Sequence, residues 1–164
     1  MDTLLPAVEK IAALLKQRGE TVAVAESSTG GLISAALLAQ PGASAWFIGG
    51  AVVYTRTSRA ALLRIGEAEM AGLRPSTEPY ALLFARRMRG RHDTTWAIGE
   101  TGATGPTGNR YGDAAGHSCI AVVGPSVERA ITLETGSHDR QANMRAFAAR
   151  ALGLFLETVA NKRE

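Results

Sequence analysis

The stretch Thr21-Val22-Ala23-Val24-Ala25-Glu26-Ser27-Ser28-Thr29-Gly30-Gly31-Leu32-Ile33-Ser34-Ala35-Ala36-Leu37-Leu38-Ala39 decides the fold. Its first five residues read as a short buried strand, whereas 31–39 is too long and too rich in Leu and Ala for a second strand and reads as a helix. Residues 26–30 then form the turn between them, and Pro41-Gly42 stop the helix. A strand that runs through a short turn into a helix is the unit from which parallel sheets covered by helices are built.

The same step recurs outward from this segment. Upstream, Leu4, Leu5, Val8, Ile11, Ala12 and Leu15 recur at three- and four-residue intervals, which predicts an amphipathic helix ending near Gly19. Downstream, 49–55 is β-branched and apolar, and 58–65 has the spacing of a short helix. Ser76 or Thr77 can cap a further helix to about Met88, and 94–100 reads as the next strand. After a glycine-rich stretch, 117–123 and 127–134 are two β-like runs whose connection, Gly124-Pro125, is short enough to force an antiparallel pair. A long helix over 139–160 closes the chain, with Met144, Phe147, Ala151, Leu152, Phe155 and Val159 on one side. The expected fold is α/β: a three-layer α/β/α sandwich on a mostly parallel mixed sheet with one antiparallel strand, as a single domain over residues 1–164.

Composition bounds the function. The 164 residues are 46% hydrophobic and 20% charged, with a net charge of +3. That balance builds a core, contains no membrane-length apolar run, and falls short of the dense positive face of a committed nucleic-acid binder. Arg86, Arg87, Arg89 and Arg91 cluster at a helix end, where they complement the carbonyl terminus; no aromatic platform accompanies them. The lysines are Lys10, Lys16 and Lys162, all near the termini, so chemistry that needs an interior lysine has none. The single cysteine, Cys119, lies in an apolar run and reads as core, and the N-terminus lacks the pattern of a secretory signal. A cytoplasmic protein is the expectation.

Two loops carry the small polar residues. Glu26-Ser27-Ser28-Thr29-Gly30-Gly31 places three hydroxyls and two glycines where a helix begins, a setting that suits an anion, a nucleophilic serine, or plain N-capping. The second loop, from Thr101 to Gly112, repeats glycine at 102, 105 and 108, which lets backbone approach a bound group closely. It has no Gly-Lys-Ser/Thr, and a strand rather than a helix follows it, so neither the Walker loop nor the dinucleotide fingerprint is present.

At these residues the chain resembles the C-terminal domain of the competence/damage-inducible protein CinA and its stand-alone form, the nicotinamide-nucleotide amidohydrolases. The family's Ala-Glu-Ser-Cys-Thr-Gly-Gly is similar to Ala25-Glu26-Ser27-Ser28-Thr29-Gly30-Gly31, and its Pro/Ala-Gly-Ser-Ser/Ala to Pro41-Gly42-Ala43-Ser44. Its Gly-Val-Val-Thr-Tyr-Ser strand looks like Gly50-Ala51-Val52-Val53-Tyr54-Thr55, and its Ser-Gly-Ile-Ala-Gly-Pro-x-Gly-Gly loop like 101–109. Its Gly-Asp-Arg helix start corresponds to His138-Asp139-Arg140.

The resemblance implies a usually dimeric α/β fold that hydrolyses the amide of nicotinamide mononucleotide to the nicotinate nucleotide and ammonia, with no metal and no cofactor. Its catalytic positions fall on Ser27, Arg59 and Tyr54; its substrate-binding positions fall on Ser28, Thr29, Gly30, Gly31, Thr101, Gly102, Gly105 and Arg140. The lysine thought to activate the family serine is Arg59 here, and arginine does not give up its proton. Arg59 can still bind an anion or stabilise an oxyanion, and His117 is the other candidate base. The family's Lys-Pro is Asp113-Ala114, and its second arginine falls on Met144 beside Arg145. Amide hydrolysis and a catalytically silent nucleotide-binding module are therefore the two readings, with DNA binding a distant third.

Overall fold

The structure, a computed structural model, describes residues 1–161. Among them five strands form one sheet in the order β2-β1-β3-β4-β5, from β1 (Val22–Glu26), β2 (Phe47–Val52), β3 (Trp96–Ala103), β4 (His117–Gly124) and β5 (Val127–Glu134). β1 pairs in parallel with both β2 and β3; β4 runs antiparallel to β3 and β5, so β4 is the reversed strand of a mixed sheet.

Helices α1 (Leu5–Arg18), α2 (Leu32–Leu38) and α5 (Arg140–Ala160) cover one face, where Val8, Ile11, Leu15, Ile33, Leu37, Leu152 and Phe155 bury against Val22, Val24, Ile98, Ile120 and Val122. Helices α3 (Arg56–Leu63) and α4 (Glu78–His92) cover the other, where Leu63, Tyr80, Phe84 and Met88 bury against Ala23, Ala25, Ala97 and Ala121. The small residues on that second face let α4 sit close: a Cβ at Gly99 would run into the Ala81 carbonyl. The layers and strand directions agree with those expected from the sequence. No helix among the described residues is long and apolar enough to cross a membrane.

Several element ends differ from the sequence reading. β2 lies earlier than 49–55, because Thr55 leaves the sheet to cap α3 through a reciprocal capping box with Ser58. Thr77, not Ser76, caps α4, which runs on to His92. Of most consequence, β3 extends three residues beyond 100, because antiparallel pairing with β4 holds it in register to Ala103 opposite His117. Thr101 and Gly102 are therefore strand residues, not loop residues. Short 3-10 turns at Ala43–Ala45 and Ala68–Met70 were not evident from periodicity.

Candidate functional site

The two polar loops meet at the carboxyl ends of β1 and β3, on top of two fully buried carboxylates. Glu26 ends β1. Its Oε1 accepts from the backbone N–H (2.9 Å) and hydroxyl (2.6 Å) of Ser34, and its Oε2 from the Ile33 N–H (3.1 Å) and Thr29 Oγ1 (2.6 Å). Glu100 lies one residue beyond Gly99, which pairs with Ala25 across the sheet. Its Oε2 accepts from the N–H groups of Ser27 (3.0 Å) and Thr29 (3.1 Å), and its Oε1 contacts the hydroxyls of Ser28 and, at 3.2 Å, Ser118. Burial pushes the Glu100 carboxyl above its ordinary range; the hydrogen bonds from Ser28, Thr29 and Ser27 pull the other way and do not cancel it.

This arrangement uses up the donors at the start of α2, a helix of seven residues. Thr29 is fully buried, and its N–H and hydroxyl are spent on the carboxylates. Gly30 and Gly31, both at positive φ, make the turn into α2 and face Met144 and Val52. Gly102 must be glycine for another reason: a Cβ there would overlap the His117 carbonyl and crowd Ser28 Oγ.

Ser27 and Ser28 part ways. Ser28 is buried and held against Glu100. The Ser27 hydroxyl makes no hydrogen bond among the described residues and lines a cleft of about 370 Å³ together with Tyr54, Arg59, Tyr80, Thr101 and Gly102. The structure thus brings Ser27, Tyr54, Arg59, Thr101 and Gly102 around one cavity. Ser28, Gly105 and Arg140 line a smaller neighbour of about 220 Å³, separated from the first by Tyr54, Gly102 and Asn109, which border both. Arg140 ties this wall together, donating to the Gly105 carbonyl at 2.7 Å and to the Tyr54 hydroxyl at 3.3 Å. Thr29, Gly30 and Gly31 line neither cavity.

Neither candidate base is able to take a proton from Ser27. Arg59 is buried and pairs with Glu67 at 2.8 Å, and its Nε has no partner among the described residues. His117 lines neither cleft. Its Nε2 faces the Ser76 carbonyl at 2.8 Å and its Nδ1 the Glu134 carboxylate, two acceptors that require both ring nitrogens to carry protons. Burial lowers the affinity of this ring for its proton, but Glu134, the Ser76 carbonyl and Asp113 outweigh burial and raise its pKa. The imidazolium has no lone pair to offer.

Two structural residues escaped the sequence reading. Asn143 on α5 donates to the carbonyls of Thr104 and Ser137 and accepts from Thr135, fastening the second loop to α5. Asn109 folds that loop back on itself by accepting from the N–H groups of Tyr111 and Asp113. The signal that could have found this turn is Asn109 itself, a residue type that accepts from the backbone two residues on. Elsewhere, Arg86 pairs with Glu128 and Arg87 with Glu69, while Arg89 donates to the Thr95 carbonyl, so these members of the α4 cluster serve the fold.

The sequence model of the CinA C-terminal domain matches residues 5–159. A CinA-like protein of Gloeobacter violaceus is 38% identical over 136 residues, covering 83% of this chain and 31% of that protein. One from Anaeromyxobacter sp. is 36% identical over 146 residues, covering 88% of this chain and 35% of that protein. The chain spans about a third of the length of these relatives. Among solved structures, a CinA superfamily protein of Enterobacter cloacae superposes with a TM-score of 0.88 at 24% identity, covering 95% of this chain and 92% of that one. A competence/damage-inducible protein of Agrobacterium tumefaciens superposes with a TM-score of 0.88 at 25% identity, covering 97% and 96%. With the match running through nearly the whole chain, this protein belongs to the CinA C-terminal domain family.

Proposed function

We propose that the cleft binds a phosphorylated pyridine nucleotide and that its reaction is hydrolysis of the carboxamide of nicotinamide mononucleotide at Ser27. The observation that carries this reading is the Ser27 hydroxyl, free of hydrogen bonds among the described residues, on a cavity that Arg56, Arg59 and Arg110 also line. The serine oxygen attacks the carboxamide carbon, the C–N bond breaks as ammonia leaves with the serine proton, and water then cleaves the resulting ester to the nicotinate nucleotide. Arg59 holds negative charge on the ligand but cannot relay that proton.

The second reading, binding without turnover, is favoured by one observation: the two candidate bases both fail Ser27, since Arg59 does not give up its proton and His117 lines neither cleft. The two readings make different predictions for one substitution. Wild type should release little ammonia from nicotinamide mononucleotide, Ser27→Ala none, and Arg59→Lys more than wild type, provided the buried lysine loses its proton near neutral pH. Calorimetric binding with no ammonia from any of the three proteins would establish the silent module. Robust wild-type turnover that falls in Arg59→Lys would overturn the account of Arg59. A homodimer is part of the same proposal, supported by exposed Leu38, Ile48 and Val52 on and beside the edge strand β2.

A further inference from the structure

The Ser27 cleft does not end at its arginine wall. A second cavity of about 440 Å³ lies on the other side, and Arg56, Arg59, Pro75, Arg110 and Tyr111 border both. The inner chamber carries the serine and the strand residues Thr101 and Gly102; the outer one is floored by Met70, Ala71 and Leu73. Small-molecule sites span roughly 300–1,000 Å³, so one chamber suits a single nucleotide and the pair calls for a larger ligand.

The waist between the chambers has a defined charge. Arg56 and Arg59 share one carboxylate, Glu67, at 3.0 and 2.8 Å. Arg74, on the outer side, is matched by Asp113 in a bidentate pair at 2.7 and 3.0 Å. Arg110 has no carboxylate partner among the described residues and donates to the Tyr111 hydroxyl at 3.1 Å. Two positive charges are thus left uncompensated, and two negative charges are what a diphosphate bridge carries. A lone phosphate monoester could satisfy that charge but would leave the outer chamber empty. The Tyr111 ring stands at this boundary with the guanidinium groups of Arg74 and Arg110 at 5.6 and 5.2 Å from its centre, an aromatic surface for a nucleobase or sugar.

We infer that the site takes a dinucleotide: the carboxamide-bearing nucleoside in the inner chamber, the diphosphate at the arginine waist, and a second nucleoside on the apolar floor of the outer chamber. This inference rests on the nucleotide reading given above and specifies its substrate class.

Calorimetry on the full chain with nicotinamide mononucleotide and with nicotinamide adenine dinucleotide tests it. The dinucleotide should bind at least about tenfold more tightly, one factor of ten in affinity. Ala71→Trp, which fills the outer chamber from an exposed position, should erase that advantage and leave the mononucleotide affinity unchanged. Equal affinities in wild type, or an equal loss for both ligands in Ala71→Trp, would overturn the dinucleotide while leaving mononucleotide binding in place. If neither ligand binds, the nucleotide reading falls and this inference with it.

Discussion

The floor and the rim of the cleft solve opposite electrostatic problems. The floor buries Glu26 and Glu100 completely, with hydroxyls and backbone N–H groups rather than cations around them. The rim gathers the exposed Arg56, Arg74 and Arg110 and the buried Arg59, with Glu67 and Asp113 as partial counter-charge. An anion settling on the start of α2 would meet carboxylate oxygen; an anion at the rim meets guanidinium. The floor is therefore a scaffold that holds the serine loop, and the rim is where a phosphate is recognised. That division departs from the anion site that glycine-rich helix starts commonly form.

The comparison can be broken most sharply within the floor itself. Each oxygen of Glu26 takes a backbone N–H, from Ile33 on one side and Ser34 on the other, so the amide of Glu26→Gln must oppose one of them whichever way it turns. Glu100 is different: both backbone N–H groups point at Oε2, and Oε1 faces only hydroxyls, which can accept as well as donate. An orphaned buried donor costs ~1–3 kcal/mol. Glu26→Gln should therefore destabilise by about 2–3 kcal/mol and Glu100→Gln by less than about 1 kcal/mol. In thermal unfolding this corresponds to about 2–4 °C of melting temperature per kcal/mol. Equal shifts for the two variants would show that the carboxylates are not held differently, and the floor would lose its account.

A somewhat smaller effect is expected where floor meets strand. Gly102→Ala drives a methyl group into the His117 carbonyl and against Ser28 Oγ, contacts with little room to yield because one is backbone. Overpacking of this kind costs ~1–3 kcal/mol. Loss of nucleotide binding with unchanged stability would mean that Gly102 serves ligand approach instead.

Rim and floor were also unequally legible. The layers follow from periodicity: strand runs at 22–26 and 117–124 and the stripe along α5 are local signals. Ser27, Tyr54 and Arg59 could be aligned to motif positions, and the structure places them around one cavity. The burial of Glu100 was not legible, because a carboxylate in the sequence run Thr94-Thr95-Trp96-Ala97-Ile98-Gly99-Glu100 reads as a strand terminus until pairing with β4 carries the strand past it. His117 failed as a base for the same kind of reason: its acceptors, Ser76 and Glu134, lie 41 and 17 residues away.

The His117 contacts give the next prediction, in pH. Its pKa is raised on folding, so its contribution to stability is complete below the unfolded value of ~6.5 and is lost as pH rises through the folded value. Chemical denaturation from pH 6 to 9 should show stability falling with pH, and His117→Gln should flatten that slope. A wild-type curve that is level or rises over this range would contradict the imidazolium assignment.

The smallest effect belongs to the rim and appears at the opposite end of the pH scale. Arg74 beside Asp113 holds that carboxyl at about 2, against burial and with help from Asn109 and His117. A depressed folded pKa contributes stability above the unfolded value of ~3.9 and loses it as pH falls toward about 2. The shift by itself would suggest more than 2 kcal/mol, but the Arg74 side chain is 43% exposed and solvent screens the pair, so about 1 kcal/mol is expected. Asp113→Asn should lower stability by that amount at pH 6 and by nearly nothing at pH 2, where the wild-type carboxyl is itself taking up a proton. Because Asp113 also braces the Asn109 turn, Arg74→Met separates the two roles: it removes the charge partner and leaves the Asn109 contacts standing. If Arg74→Met leaves the acid limb of the stability curve unchanged while Asp113→Asn alters it, the low pKa comes from the turn rather than from the arginine, and the charge assigned to the rim must be recounted with Arg74 free.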